Sequence, residues 1–174
     1  TSDPILSGYW KLSPVAGALG VGPSAGDYSW WSSSEADVTT RACLFDDEYV
    51  FNADGSFNNV QGSETWLEPW QNVDPEACGA PVAPHDGTNA ATWSVDETAG
   101  TITVSGLGAY LGLAKVHNGG EDGTPVDNTI TYNYALSADG NSMDVTISGF
   151  NSGVAAATWV FKMVKVPPVI AVEG

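Results

Sequence analysis

Basic residues are scarce in this chain. Five Lys and Arg stand against 21 Asp and Glu, giving a formal net charge of -16 over 174 residues. Nucleic acid draws its affinity from cations that neutralise phosphates, so that partner class is not expected. Anionic membrane surfaces and sulfated or uronate-rich polysaccharides would meet the same repulsion. A neutral ligand meets none. The acid excess also favours solubility in salty surroundings. Long apolar runs are missing too: no stretch reaches the roughly 18 residues that a spanning helix needs, so membrane insertion is not expected. Amphipathic helical stripes are likewise absent, because 20 Gly, 10 Pro and many β-branched residues break up the 3.6-residue pattern.

Cysteine is nearly absent, with Cys43 and Cys78 the two present. The composition has the character of an exported chain, where such a pair reads as a disulfide joining a strand start to a long loop. Two free buried thiols are the competing reading. A zinc site is not expected, since these cysteines, His85 and His117 show no paired-ligand spacing.

Short strand-like runs separated by turn signals fill the chain instead. They fall at residues 9–12, 44–52, 57–60, 91–95, 101–105, 129–136, 143–148 and 157–166. Asp54-Gly55 and Asp139-Gly140 mark hairpins, because Gly supplies the positive φ of tight turns at little cost. Apolar and polar residues alternate through Thr101-Ile102-Thr103-Val104 and Met143-Asp144-Val145-Thr146-Ile147, so one face of the sheet is apolar. The pattern predicts an all-β fold of about eight strands. An antiparallel β-sandwich is the first expectation and a flattened, lipocalin-like up-and-down β-barrel the alternative.

Three stretches break the strand rhythm, at residues 13–35, 62–90 and 106–128. Long ordered connections often carry function; further short strands within some of them are the competing reading. Seven tryptophans are present. Trp10, Trp93 and Trp159 sit inside strand patterns and read as core. Trp30, Trp31, Trp66 and Trp70 sit in or beside the long connections. Sugars expose C–H faces that stack on indoles, and their hydroxyls need polar partners close by. Glu68 and Gln71 flank Trp70 with such groups, and Pro69 restrains the backbone before it. His85, Asp86 and Tyr110 complete the candidate ligand-binding set, with Lys115, Asn118 and Glu121 as further candidates in the third connection. The competing readings are that the rings only pin loops to the sheet and that Asp86-Gly87 is a turn.

Catalysis is not expected. Asp46, Asp47, Glu48, Glu64 and Glu68 are plentiful carboxylates, but on a strand Asp46 and Glu48 share a face while Asp47 points away. No dense carboxylate strand motif and no G-x-S-x-G elbow is present. No cofactor is expected. Asp54-Gly55 and Asp139-Gly140 do not continue into an EF-hand ligand series, which leaves a structural calcium elsewhere open.

Several strings carry a resemblance. They include Trp10-Lys11-Leu12, Ser29-Trp30-Trp31-Ser32, Cys43-Leu44-Phe45-Asp46-Asp47-Glu48-Tyr49, Glu64-Thr65-Trp66-Leu67-Glu68, Ala83-Pro84-His85-Asp86-Gly87 and Gly108-Ala109-Tyr110-Leu111-Gly112-Leu113. Together, over roughly residues 8–165, the chain resembles a glycan-binding domain of Bacteroidota. That domain stands beside family 16 glycoside hydrolases and surface glycan-binding proteins of laminarin utilisation. The resemblance implies β-1,3-glucan binding, in secreted proteins or on the outer cell surface, and assigns no particular residue. Strand-start Trp10-Lys11-Leu12, the hairpin through Asp54-Gly55 and the closing Trp159-Val160-Phe161-Lys162 are similar to bacterial lipocalin-like domains. The long connections depart from that second pattern.

These readings predict a binding domain over residues 1–166 and a linker at 167–174 that leads to covalently attached neighbouring domains. The expected function is non-catalytic binding of a neutral polysaccharide of laminarin type. A small-molecule carrier and a ligand-free spacer are the alternatives.

Overall fold

A computed structural model describes residues 6–125, 127–150 and 154–166. The linker expected at 167–174 lies outside them. Strands β1 (Gly8–Leu12), β2 (Leu19–Gly22) and β3 (Trp31–Ser32) precede two short helices, α1 (Glu35–Thr40) and α2 (Ala42–Phe45). Next come β4 (Glu48–Phe51), β5 (Phe57–Val60) and a small hairpin of β6 (Thr65–Leu67) with β7 (Ala77–Gly79). β8 (Thr92–Asp96) and β9 (Thr101–Ser105) follow, then the short pair β10 (Val116–His117) and β11 (Gly120–Glu121). β12 (Thr129–Leu136), β13 (Ser142–Ser148) and β14 (Thr158–Val166) complete the order.

The main sheet runs β5-β4-β1-β14-β13-β12-β9-β8, every pair antiparallel. Each of these strands except β5 pairs with the next main strand along the chain, and the last returns to the first. The free edges of β5 and β8 approach through a Ser56–Thr92 bridge. There the Phe57 N–H donates to the Ala91 carbonyl (2.9 Å) and the Trp93 N–H to the Gly55 carbonyl (3.0 Å). The sheet is therefore a meander that nearly closes into a barrel, which leaves few unpaired strand edges. The all-β antiparallel expectation holds, and of its two forms the pairing follows the flattened barrel. β2 and β3 are short strands within the first long connection. β2 pairs with residues 158–161 of β14, continuing the track that β1 occupies beside residues 163–166.

Expected strand positions agree closely, with one correction. The run 44–52 is not a single strand: its first residues finish α2, and pairing begins at Glu48. A capping box starts the helical turn before it. The Ser34 hydroxyl accepts the Asp37 N–H (3.2 Å), and the Asp37 carboxylate accepts the Ser34 N–H (2.8 Å). α2 then buries Cys43, Leu44 and Phe45. Cys43 is bonded to Cys78, so the disulfide ties a helix, not a strand start, to β7. With a sequence separation of 35, it stabilises by about 4 kcal/mol on the loop-entropy account.

Alternation places Met143, Val145 and Ile147 of β13 inside, with Ile102 and Val104 of β9. Trp10, Trp93 and Trp159 are buried as expected. Residues 107–113 cover one end of this core. The Tyr49 hydroxyl donates to the Gly112 carbonyl (3.0 Å), and the Tyr132 hydroxyl accepts the Leu111 N–H (2.9 Å). Asn59 grips Tyr110 from both sides, donating to its carbonyl (2.9 Å) and accepting its N–H (3.3 Å). Burial pushes both tyrosine pKa values up, so these hydroxyls stay protonated.

Gly112 makes this close approach possible. Its φ is 74°, and a Cβ there would lie 2.3 Å from the Phe161 ring. Gly112→Ala is expected to destabilise by roughly 3 kcal/mol, from the left-handed backbone and the overpacking together. Urea unfolding monitored by circular dichroism measures this. A variant as stable as the parent would show that the segment does not pack as described.

Candidate functional site

Parts of all three long connections meet outside the sheet, near the end that residues 107–113 cover. Arg41, at the junction of α1 and α2, is the hub. Its guanidinium lies 4.9 Å from the Trp31 ring centre and 4.6 Å from that of Trp66. It also donates to Glu76 at 3.3 Å. Each such cation–ring contact contributes about 0.5–2 kcal/mol. Trp66 pairs in register with Cys78, so the disulfide and the guanidinium fix the same hairpin to α2.

Trp31 meets Trp159 edge-on at 6.2 Å. The Trp159 indole N–H donates to Glu121 (3.2 Å). Lys115 stands 5.3 Å from the Trp159 ring centre and 3.4 Å from the Glu68 carboxylate. All of these groups except Glu121, with Arg41, Glu76, Val21 and Leu113, bound an open cleft of about 290 Å³.

Glu68, Leu113 and Lys115 are shared with a narrow cavity of about 20 Å³. Trp66, Glu68, Trp70, Gln71, His85 and Tyr110, all expected from the sequence, line that cavity. Trp70, Gln71 and His85 in turn line a second open cleft of about 440 Å³, together with Val82, Pro84 and Leu107. Two clefts thus share walls with one waist. A 3-10 turn at Pro69–Gln71 sets Trp70: Pro69 opens it, and Asn72, at φ 68°, closes it. Edge contacts step from Trp70 to His85 (5.4 Å), on to Tyr110 (6.2 Å) and then Tyr49 (6.0 Å), linking the clefts to the core.

Two expected residues stand apart. Trp30 is half exposed but lines neither cleft. The Asp86 carboxylate accepts the Thr88 N–H (3.2 Å) and hydroxyl (2.7 Å), so it holds a turn. Asn118 is also committed elsewhere, to both polar atoms of the Thr131 backbone. Sequence reasoning missed Arg41, Gln61, Glu76 and the cleft-facing side of Trp159. Arg41 carried one usable signal, being among only five basic residues and two positions from a cysteine. Trp159 sits on a buried strand, which hid its second role.

Burial draws the His85 pKa below its ordinary value, with His117 assisting and Asp86 opposing, so the ring is neutral at pH 7. Among the described residues, no three His, Cys, Asp or Glu side chains come together to hold a metal ion. No helix of the described residues is long and apolar enough to cross a membrane. Compared with known protein families and with curated proteins, the chain matches none.

Asp47 backs the site from inside. It is buried, accepts the Thr65 hydroxyl (2.6 Å), and has its pKa raised from 3.8 to about 8, chiefly by burial. The folded state therefore binds more protons than the unfolded state between about pH 4 and pH 8. This contribution to stability is whole below that window and is lost as pH rises through it. Asp47→Asn removes the ionisation while keeping an acceptor for Thr65. The variant is expected to gain on the parent between about pH 5 and pH 8.5, read from urea midpoints at each pH. Parallel midpoints for the two proteins would contradict the buried, protonated carboxyl.

Proposed function

We propose that this chain is a non-catalytic carbohydrate-binding domain that holds a neutral polysaccharide in the two clefts joined at the Glu68–Lys115 waist. One observation carries the reading: Trp31 of the first long connection and Trp66 and Trp70 of the second stay partly exposed and line the adjoining clefts and their shared waist. Indoles supply rigid area for pyranose faces, while Glu68, Gln71, Arg41 and Lys115 supply hydroxyl partners. Cations and carboxylates alternate along the trough, so no single sign of charge selects an ionic ligand. The protein's overall acidity adds repulsion against anionic chains.

The glucan type rests on the resemblance to domains of laminarin utilisation, which favours a β-1,3-glucan. The same resemblance, with the disulfide, supports a secreted or outer-surface location and linkage to neighbouring domains. Binding without hydrolysis is favoured because Glu68, Glu76 and Glu121 are already engaged by Lys115, Arg41 and the Trp159 indole. Carriage of a small molecule inside the sheet is disfavoured. Trp10, Tyr49, Phe51, Phe57, Tyr132 and Phe161 fill that space, and residues 107–113 cover its end.

Native gels containing laminarin, mixed-linkage glucan, mannan or xylan test the reading. Laminarin is expected to retard the parent protein. Trp70→Ala, and to a lesser degree Trp31→Ala, should weaken retention by about tenfold, near 1.4 kcal/mol. Unretarded migration in all four gels would refute carbohydrate binding. Retention that survives both substitutions would place the binding surface elsewhere.

A further inference from the structure

Three buried side-chain polar atoms among the described residues lack a hydrogen-bond partner: Asp47 Oδ1, Gln61 Oε1 and Trp66 Nε1. A buried polar atom left unpaired is costly, so each calls for a physical reason. Gln61 and Trp66 both line the 20 Å³ cavity at the waist of the trough. Asp47 lies one hydrogen bond behind it, through Thr65.

The orientation of the Gln61 amide is fixed by its neighbours. Its nitrogen donates to the His85 carbonyl (2.8 Å) and to the Tyr110 hydroxyl (2.7 Å). A carbonyl can only accept, so the nitrogen must face His85, and the free atom is the oxygen. The side chain is well buried, at 6% exposure. Trp66 Nε1 can only donate. Both residues line the cavity, and between them they carry one unused acceptor and one unused donor.

The volume limits what can answer them. About 20 Å³ is room for one water-sized group. A carbonyl or ether oxygen satisfies the donor alone, and an ammonium satisfies the acceptor alone. A hydroxyl, or a water in its place, satisfies both. We infer that this cavity is a hydroxyl slot, in which Gln61 and Trp66 select a sugar by one free –OH presented to the waist. The inference rests on the carbohydrate-binding reading and deepens it by naming a specificity determinant.

Two conservative variants test the slot by isothermal titration with laminarin. Trp66→Phe keeps an aromatic ring and deletes the N–H, and Gln61→Met keeps the length and deletes the acceptor together with the donors to His85 and Tyr110, so its melting temperature is expected to fall. Each variant's melting temperature is recorded alongside. Trp66→Phe is expected to bind about tenfold more weakly while melting within a few degrees of the parent. Gln61→Met should weaken binding similarly. If Trp66→Phe binds as tightly as the parent, the slot is overturned while carbohydrate binding stands. A drop in melting temperature with unchanged affinity overturns it too, because the cavity then holds structural water only. A parent protein that binds none of the four polysaccharides overturns both readings together.

Discussion

Residues 107–113 govern what this fold can do, because their backbone closes the end of the sheet. A meander of eight strands can enclose a ligand when its ends stay open and its interior stays hollow. Here aromatic and aliphatic side chains fill the interior, and Tyr49, Tyr132 and Asn59 tie the covering segment to strands β4, β12 and β5. Gly112 lets that backbone lie against Phe161 without a side chain between them. A ligand is left the outer surface, where Leu113, Lys115 and Tyr110 of the same neighbourhood form part of the trough wall.

The site is assembled rather than grown from one element. Arg41 bridges Trp31 and Trp66, Lys115 bridges Glu68 and Trp159, and the Cys43–Cys78 bond secures the hairpin between them. A long cation laid on an indole buries its stem and keeps its head wet. The result is a set of half-buried rings edged with donors and acceptors, not a bare aromatic shelf. On the proposed reading, a sugar chain meets ring edges and polar heads together. Such a surface suits a neutral, hydroxyl-rich partner better than an apolar one.

Strand positions were readable because period-two alternation and Asp-Gly turns are local signals. β9, β12 and the body of β13 fall where Thr101-Ile102-Thr103-Val104 and its counterparts place them. Helix α2 was not readable: four residues carry no period, no side chain caps its start, and a disulfide to a distant strand anchors it. Within the site, the tryptophans and His85 were readable from their setting in long, Pro-rich connections. Gln61 was not, since one glutamine after a strand has no local signature. Its importance arises from His85 and Tyr110, which lie 24 and 49 residues away. Asp86 misled because Asp-Gly serves turns far more readily than ligands, and its carboxylate is spent on Thr88.

The central claim is that a polysaccharide lies in the trough at the covered end of the sheet. Hydroxyl-radical footprinting with and without laminarin tests it ring by ring in the unaltered protein. The account predicts that laminarin shields Trp31, Trp66 and Trp70 from oxidation and leaves Trp30 as reactive as before. Shielding at Trp30 alone, or at none of the four, would contradict it.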